Sequence, residues 1–223
     1  HGEMTSAAIE WGSYAMVPWA GRIRRGRFDF QDRGYELPLN HDGHAIHGVA
    51  FTLPWRVDAH SHHHAELSLA LPVDERWPFG GSSRQRIEVG ENSLKMTLSV
   101  TAGEQPMPAC IGWHPWFRKP DRVDFAPSRM YPRDEEGIAS HPLAEPSSGP
   151  WDDCFINERP VLIQYGGQQL RLTSDCSHWV VYDELDYATC FEPQSGPPDA
   201  FNLAPRQLAP GTTLEAWFLL EWL

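Results

Sequence analysis

Leu214, Ala216, Phe218, Leu220 and Trp222 occupy alternate positions near the C-terminus, and this period of two recurs through the chain. Successive side chains of a strand point to opposite faces, so an alternating apolar row marks a strand with one buried face. Leu94, Met96, Leu98 and Val100 alternate with Lys95, Thr97 and Ser99 in the same way, as do Ala65, Leu67, Leu69 and Leu71 with their neighbours. Turn signals separate such runs. Gln31-Asp32-Arg33-Gly34 lies between Phe28-Asp29-Phe30 and Tyr35-Glu36-Leu37, and Gly166-Gly167 lies between residues 161–165 and 170–172. No stretch of ten or more residues carries a helical period. Many short strands joined by such turns predict an all-β sandwich or barrel.

The 20 prolines and 18 glycines do not cluster into a linker, and 223 residues suit one large all-β domain spanning residues 1–223. The loosest region, about residues 120–150, reads as a long loop or interrupted excursion from the sheets rather than a domain boundary. Acidic residues outnumber basic ones by 30 to 18, for a net charge of −12. That balance, with no basic stripe, argues against nucleic acid and against an anionic membrane surface as partners. Cys110, Cys154, Cys176 and Cys190 are scattered and form no CxxC pair, so buried reduced thiols and a cytoplasmic location are expected. No apolar run approaches membrane-spanning length, and His1-Gly2-Glu3-Met4 shows no signal-peptide pattern.

Two segments stand out chemically. Glu192-Pro193-Gln194-Ser195-Gly196-Pro197-Pro198-Asp199-Ala200-Phe201-Asn202 and Gly112-Trp113-His114-Pro115-Trp116-Phe117 each set one proton-transferring residue at a strand edge. A carboxylate and an imidazole held this way suit general acid–base work on a neutral polar substrate. Each also has an ordinary reading, as a solvated strand end and a hydrogen-bonded histidine. His60-Ser61-His62-His63-His64 lies between two strand-like runs without Cys, Asp or Glu in ligand spacing, so a solvated hairpin tip is expected rather than a metal site. There is no Gly-x-Ser-x-Gly elbow, and Gly80-Gly81-Ser82-Ser83 lacks the lysine of a phosphate loop. Acid–base chemistry or simple binding is what remains.

These motifs, in order along most of the chain, resemble the aldose 1-epimerase (galactose mutarotase) family. Pro18-Trp19-Ala20-Gly21-Arg22-Ile23-Arg24 is similar to its early arginine motif, and Asn40 through Ala45-Ile46-His47-Gly48 to its His-Gly motif. Trp77-Pro78-Phe79 resembles a short aromatic-proline element. Pro106-Met107-Pro108 with Gly112-Trp113-His114-Pro115-Trp116-Phe117 resembles the segment carrying the central histidine. Trp151-Asp152-Asp153-Cys154-Phe155 is similar to the aspartate motif, and the Glu192 segment to the final glutamate motif.

The resemblance implies a large antiparallel galactose mutarotase-like supersandwich, with either a truncated start or a smaller sandwich, since about seventeen residues precede the arginine motif. It implies Glu192 as general base and His114 as general acid, with Arg22, His47 and Asp152 holding the sugar's oxygens. Asp153, Arg24 and Arg25 lie close enough to compete for two of those roles, and Trp113 and Trp116 could face either sugar or core. The implied reaction interconverts the α and β anomers of a free hexose through ring opening, with no cofactor or metal, in a monomer or homodimer. Glu192 and His114 should then face one cleft, separated by a gap that a pyranose ring fills. A hexose-6-phosphate epimerase, with Arg24, Arg25 and Arg27 as phosphate ligands, and a non-catalytic carbohydrate-binding module are the alternatives.

Overall fold

The computed structural model describes residues 8–223; His1-Gly2-Glu3-Met4 lies outside the described residues. Two antiparallel sheets dominate. The eight-stranded sheet runs Arg122–Asp124, Val161–Tyr165, Gln168–Ser174, Thr213–Trp222, Ser93–Thr101, Ser82–Val89, His64–Ala70 and Arg56–His60. The six-stranded sheet runs Ser13–Met16, Gly112–Arg118, Ala188–Gln194, His178–Tyr182, Asp152–Ile156 and Arg129–Tyr131. The all-β sandwich expected from the period of two is the fold observed, and its one α-helix among the described residues is the short Ala200–Leu203 turn. Among the described residues, no helix is long and apolar enough to cross a membrane.

The alternating rows place the core. Leu214, Ala216, Phe218 and Leu220 are all buried, and they pair in register with Val100, Leu98, Met96 and Leu94 of the neighbouring strand. Trp222, the last member of the row, is 48% exposed. Across the sandwich, Trp113 and Trp179 of the six-stranded sheet meet Phe218, with ring centroids 5.9 and 6.0 Å apart. Phe125, Phe155 and Phe191 form a second aromatic knot between the layers. Facing apolar rows of this kind are what hold two sheets together.

The hairpins follow local chemistry. Arg27–Phe30 pairs with Arg33–Glu36 through a two-residue turn in which Gln31 and Asp32 both have positive φ, 49° and 58°. That is the twist a two-residue hairpin favours, and it leaves Gly34 inside the strand rather than in the turn. Val161–Tyr165 and Gln168–Ser174 join at Gly166-Gly167 as expected. The histidine run forms an exposed tip, with Ser61, His62 and His63 between the edge strand Arg56–His60 and its neighbour His64–Ala70. All four cysteines are buried and free. The aperiodic region contributes Arg122–Asp124 to one sheet and Arg129–Tyr131 to the other. It then folds back, burying Ile138 and Ala139; Ala139 joins Tyr131, Cys154 and Val180 in a small apolar cluster apart from the main core.

Candidate active site

Because alternate residues of a strand face opposite ways, the six-stranded sheet separates packing from chemistry. Trp113 points into the sandwich, while His114 and Trp116 line a cleft of about 730 Å³. On the neighbouring strand Phe191 is core, whereas Glu192 and Gln194 line the same cleft. Of the two sequence-singled tryptophans, Trp116 therefore faces the cleft and Trp113 the core.

Gly112 pairs with Gln194 and Trp116 with Cys190, so His114 stands opposite Glu192. Their Nε2 and Oε1 atoms are 3.3 Å apart, with 8% and 2% of the side chains exposed. The expected ring-sized gap is absent; the two groups touch. Gln194 Nε2 donates to the other carboxylate oxygen at 3.3 Å. Tyr14, the cross-strand partner of His114, stacks on its imidazole at 4.9 Å, and Trp116 stacks at 5.3 Å. Ile9 O accepts hydrogen bonds from both the Tyr14 hydroxyl and Trp116 Nε1.

Burial sets the protonation of this pair. Desolvation pushes the Glu192 carboxyl well above the usual range; the Asp152 charge adds to this, while Arg22 and the Gln194 hydrogen bond pull it back. Burial likewise lowers His114 to about 3. Burial thus favours the uncharged form of both groups, and an ionised glutamate beside a protonated histidine is the disfavoured arrangement at rest.

His47 arrives from a tight turn. Arg22–Ile23 pairs with Ala45–Ile46, and the chain then adopts positive φ at both His47 (62°) and Gly48 (73°). A Cβ on Gly48 would lie 2.0 Å from the Val17 carbonyl oxygen, so only glycine fits there. Asn40 secures the same turn, accepting from Ile46 N–H at 2.8 Å and donating to Ile46 O at 3.2 Å. The His47 ring thereby meets His114 edge-on, with centroids 5.0 Å apart. Burial, then the charges of His114 and Arg22, hold His47 well below its usual pKa, and its buried Nδ1 has no partner among the described residues.

Arg22 lines the cleft with Nη2 3.7 Å from Asp152 Oδ2. Its rivals point elsewhere: Arg24 pairs with Asp134 and Glu136, and Arg25 with Glu136. Asp152 also accepts from Arg133 Nη1 at 2.7 Å and lines the cleft; Asp153 meets Arg133 Nε at 3.4 Å and does not line it. Burial raises the Asp152 carboxyl, with Arg22 and Arg133 opposing. All five residues expected at the site thus converge. Reasoning from sequence missed Tyr14, Asn40, Arg133 and Gln194 as members; only Gln194 was within reach of the strand period, two residues beyond Glu192.

The cleft is acidic. Glu10, Asp42, Asp152, Glu184 and Glu192 line it, against Arg22 as its one lysine or arginine among the described residues. Arg24, Arg25 and Arg27 instead line a separate open groove of about 660 Å³, where Arg27 pairs with Glu36.

The sequence model of the family described as "Aldose 1-epimerase" matches residues 11–221. The uncharacterized protein YphB of Escherichia coli K12 is 32% identical over 120 residues, 52% of this chain and 40% of that protein. The chain thus spans well under half of that relative. The uncharacterized protein YihR of the same organism is 25% identical over 217 residues, 84% of this chain and 70% of that one. Among solved structures, a candidate aldose 1-epimerase of E. coli K12 superposes with a TM-score of 0.85 at 22% identity, covering 97% of this chain and 85% of that one. Galactose 1-epimerase from Lactobacillus acidophilus NCFM gives 0.78 at 19% identity, covering 94% and 79%. At these identities the structural likeness speaks for the fold.

Proposed function

The chain belongs to the aldose 1-epimerase family, and from that premise we propose that it interconverts the α and β anomers of a free, uncharged aldose. The observation that carries this reading is the direct contact of Glu192 with His114 inside a cleft that also presents Arg22, His47 and Asp152. Glu192 takes the proton of the anomeric hydroxyl while His114 gives one to the ring oxygen. The ring opens, the C1–C2 bond rotates, and closure on the other face of C1 yields the opposite anomer.

The close contact suits this chemistry. The hydroxyl and ring oxygens are bonded to the same carbon, so acid and base must converge on one atom pair rather than span a ring. A neutral Glu192–His114 pair and its ion pair hold the same number of protons. Moving one proton across the 3.3 Å contact interconverts them without exchange with solvent. Arg22 and Gln194 favour the ionised carboxylate, and the aromatic faces of Tyr14 and Trp116 favour the imidazolium. His47, held neutral by burial, can bond a sugar hydroxyl without competing for that charge.

The acidic lining and the ion-paired state of Arg24, Arg25 and Arg27 support a neutral sugar over a hexose phosphate. The matched acid and base support turnover over simple binding, which needs neither. The test is polarimetry on freshly dissolved α-D-glucose and α-D-galactose. Acceleration over buffer that is lost in Glu192→Gln supports the proposal, and no acceleration with any common aldose overturns it.

A further inference from the structure

Cys190 has no part in the proposed reaction, yet it lies beside both reacting groups. It sits two residues before Glu192 on the same strand face and pairs in register with Trp116, two residues beyond His114. The Cys190 thiol, a carboxylate oxygen of Glu192 and a ring nitrogen of His114 all lie within 4.8 Å of one another, and all three residues are buried. Among the described residues this is the one grouping of three such ligand atoms.

We propose that His114, Cys190 and Glu192 form a binding site for a thiophilic divalent cation of the zinc class. Tetrahedral zinc, with bonds of about 2.0–2.3 Å, sets its ligand atoms roughly 3.3–3.8 Å apart. Nε2 of His114 and Oε1 of Glu192 already stand at 3.3 Å, and the Cys190 thiol, within 4.8 Å of a ligand atom of each, supplies the third contact on closing toward them. The remaining position opens on the cleft that His114 and Glu192 line.

Charge favours occupancy. A thiolate, a carboxylate and a neutral imidazole bring two negative charges to a doubly positive ion, so the buried assembly is neutral and avoids the penalty of an unpaired buried charge. Two protons leave to solvent as the metal bonds form. One comes from the Cys190 thiol, because a coordinated thiol is deprotonated outright. The other is the one that burial favours on Glu192, because a ligating carboxylate must be ionised. The ring of carboxylates, Glu10, Asp42, Asp152 and Glu184, raises the local concentration of cations over anions. The same carboxylates disfavour bound phosphate. A metal on these atoms occupies the lone pairs that move protons, so zinc blocks anomer exchange; that last step rests on the proposed function, whereas binding does not.

The experiment reads binding without sugar. Reduced, chelator-treated protein is titrated with Zn²⁺ alone by calorimetry, and with Co²⁺ while thiolate-to-cobalt absorption is followed in the near ultraviolet. The expected result is a cobalt–thiolate band and a zinc-induced rise in Tm, both saturating at one ion per chain. In Cys190→Ser the band disappears. Its affinity for zinc falls by more than the roughly 10–100-fold that loss of an outer-shell partner costs. The metal-free Tm of that variant shows whether it is folded, and Cys190→Ala serves if the serine variant is not. His62→Ala/His63→Ala, at the exposed hairpin tip, leaves the band unchanged. Absence of the cobalt–thiolate band, or high-affinity zinc binding that survives loss of Cys190, overturns the proposal. Binding without any mutarotation leaves the metal site standing and removes the proposed function instead.

Discussion

Glu192 Oε1 lies 3.3 Å from His114 Nε2 across two adjacent antiparallel strands, with both side chains almost wholly buried. Strand register, rather than a flexible loop, fixes this contact, and hydrogen-bonded strands do not slip without turning every side chain to the other face. The pair is therefore pre-organised, and burial favours the neutral form of both groups.

Glu192→Gln keeps the shape and removes the base. A positioned acid or base contributes about 10²–10⁴ in rate, so kcat for mutarotation is expected to fall by at least about 10²-fold. The fold should survive, because the raised Glu192 pKa marks an environment that already disfavours its charge. Polarimetry and a thermal melt of the same sample separate lost chemistry from lost structure.

Stability should fall on acidification, partly through His178. Burial pushes this histidine down to about 4 in the fold, while the unfolded side chain titrates near 6.5. Between those values the unfolded chain binds a proton that the folded chain refuses. The contribution is present above about pH 6.5 and is lost as pH falls toward 4, on the order of 3 kcal/mol in all. Glu192, raised in the fold, acts in the opposite sense: its contribution is present at low pH and lost as pH rises through its elevated pKa. It acts equally in wild type and variant. Comparing Tm from about pH 7 to about pH 4.5 in wild type and His178→Gln should therefore show a shallower decline in the variant.

The period of two was sufficient for the sandwich, because it records which side of each strand is buried. Leu214 to Leu220 shows this directly, and Trp222 marks where the row outruns its cover. The five site residues were legible because their motifs resemble, in order along the chain, those of the aldose 1-epimerase family. Their mutual geometry was not. Tyr14 reaches His114 through a pairing of strands about a hundred residues apart, which no local pattern encodes. Arg133 comes from the aperiodic excursion, where no period could point it at Asp152. The turn over Gln31-Asp32-Arg33-Gly34 was legible but drawn two residues too long, because the positive φ values fall at Gln31 and Asp32 while Arg33 and Gly34 already pair in the strand.

Gly48→Ala tests how firmly the His47 turn is held. The new Cβ would meet the Val17 carbonyl oxygen at 2.0 Å, on a backbone with φ of 73°. Strain of this type costs on the order of 1–3 kcal/mol, and the clash adds to it. Tm should drop, and KM should rise more than kcat falls, because His47 is displaced while the Glu192–His114 contact is held by other strands. An unchanged KM would remove His47 from sugar binding.

Substrate charge provides the last prediction. Besides the buried Glu192, four carboxylates and one arginine line the cleft, and Arg24, Arg25 and Arg27 are held in ion pairs with Asp134, Glu136 and Glu36. A dianionic sugar phosphate must enter against that field, whereas glucose and galactose feel none of it. Electrostatic focusing in clefts alters association by about 10–10³-fold and is weakened by salt. At low ionic strength kcat/KM for glucose 6-phosphate should therefore lie at least about tenfold below that for glucose, and the ratio should narrow as salt is added. The comparison requires correction for the faster spontaneous mutarotation of the phosphate ester, whose own group can act as an intramolecular base. Preference for the phosphate at every salt concentration would mean that Arg24, Arg25 or Arg27 leaves its carboxylate partner on binding. Charge reversal at Glu136, which pairs with both Arg24 and Arg25, would then be the variant to measure.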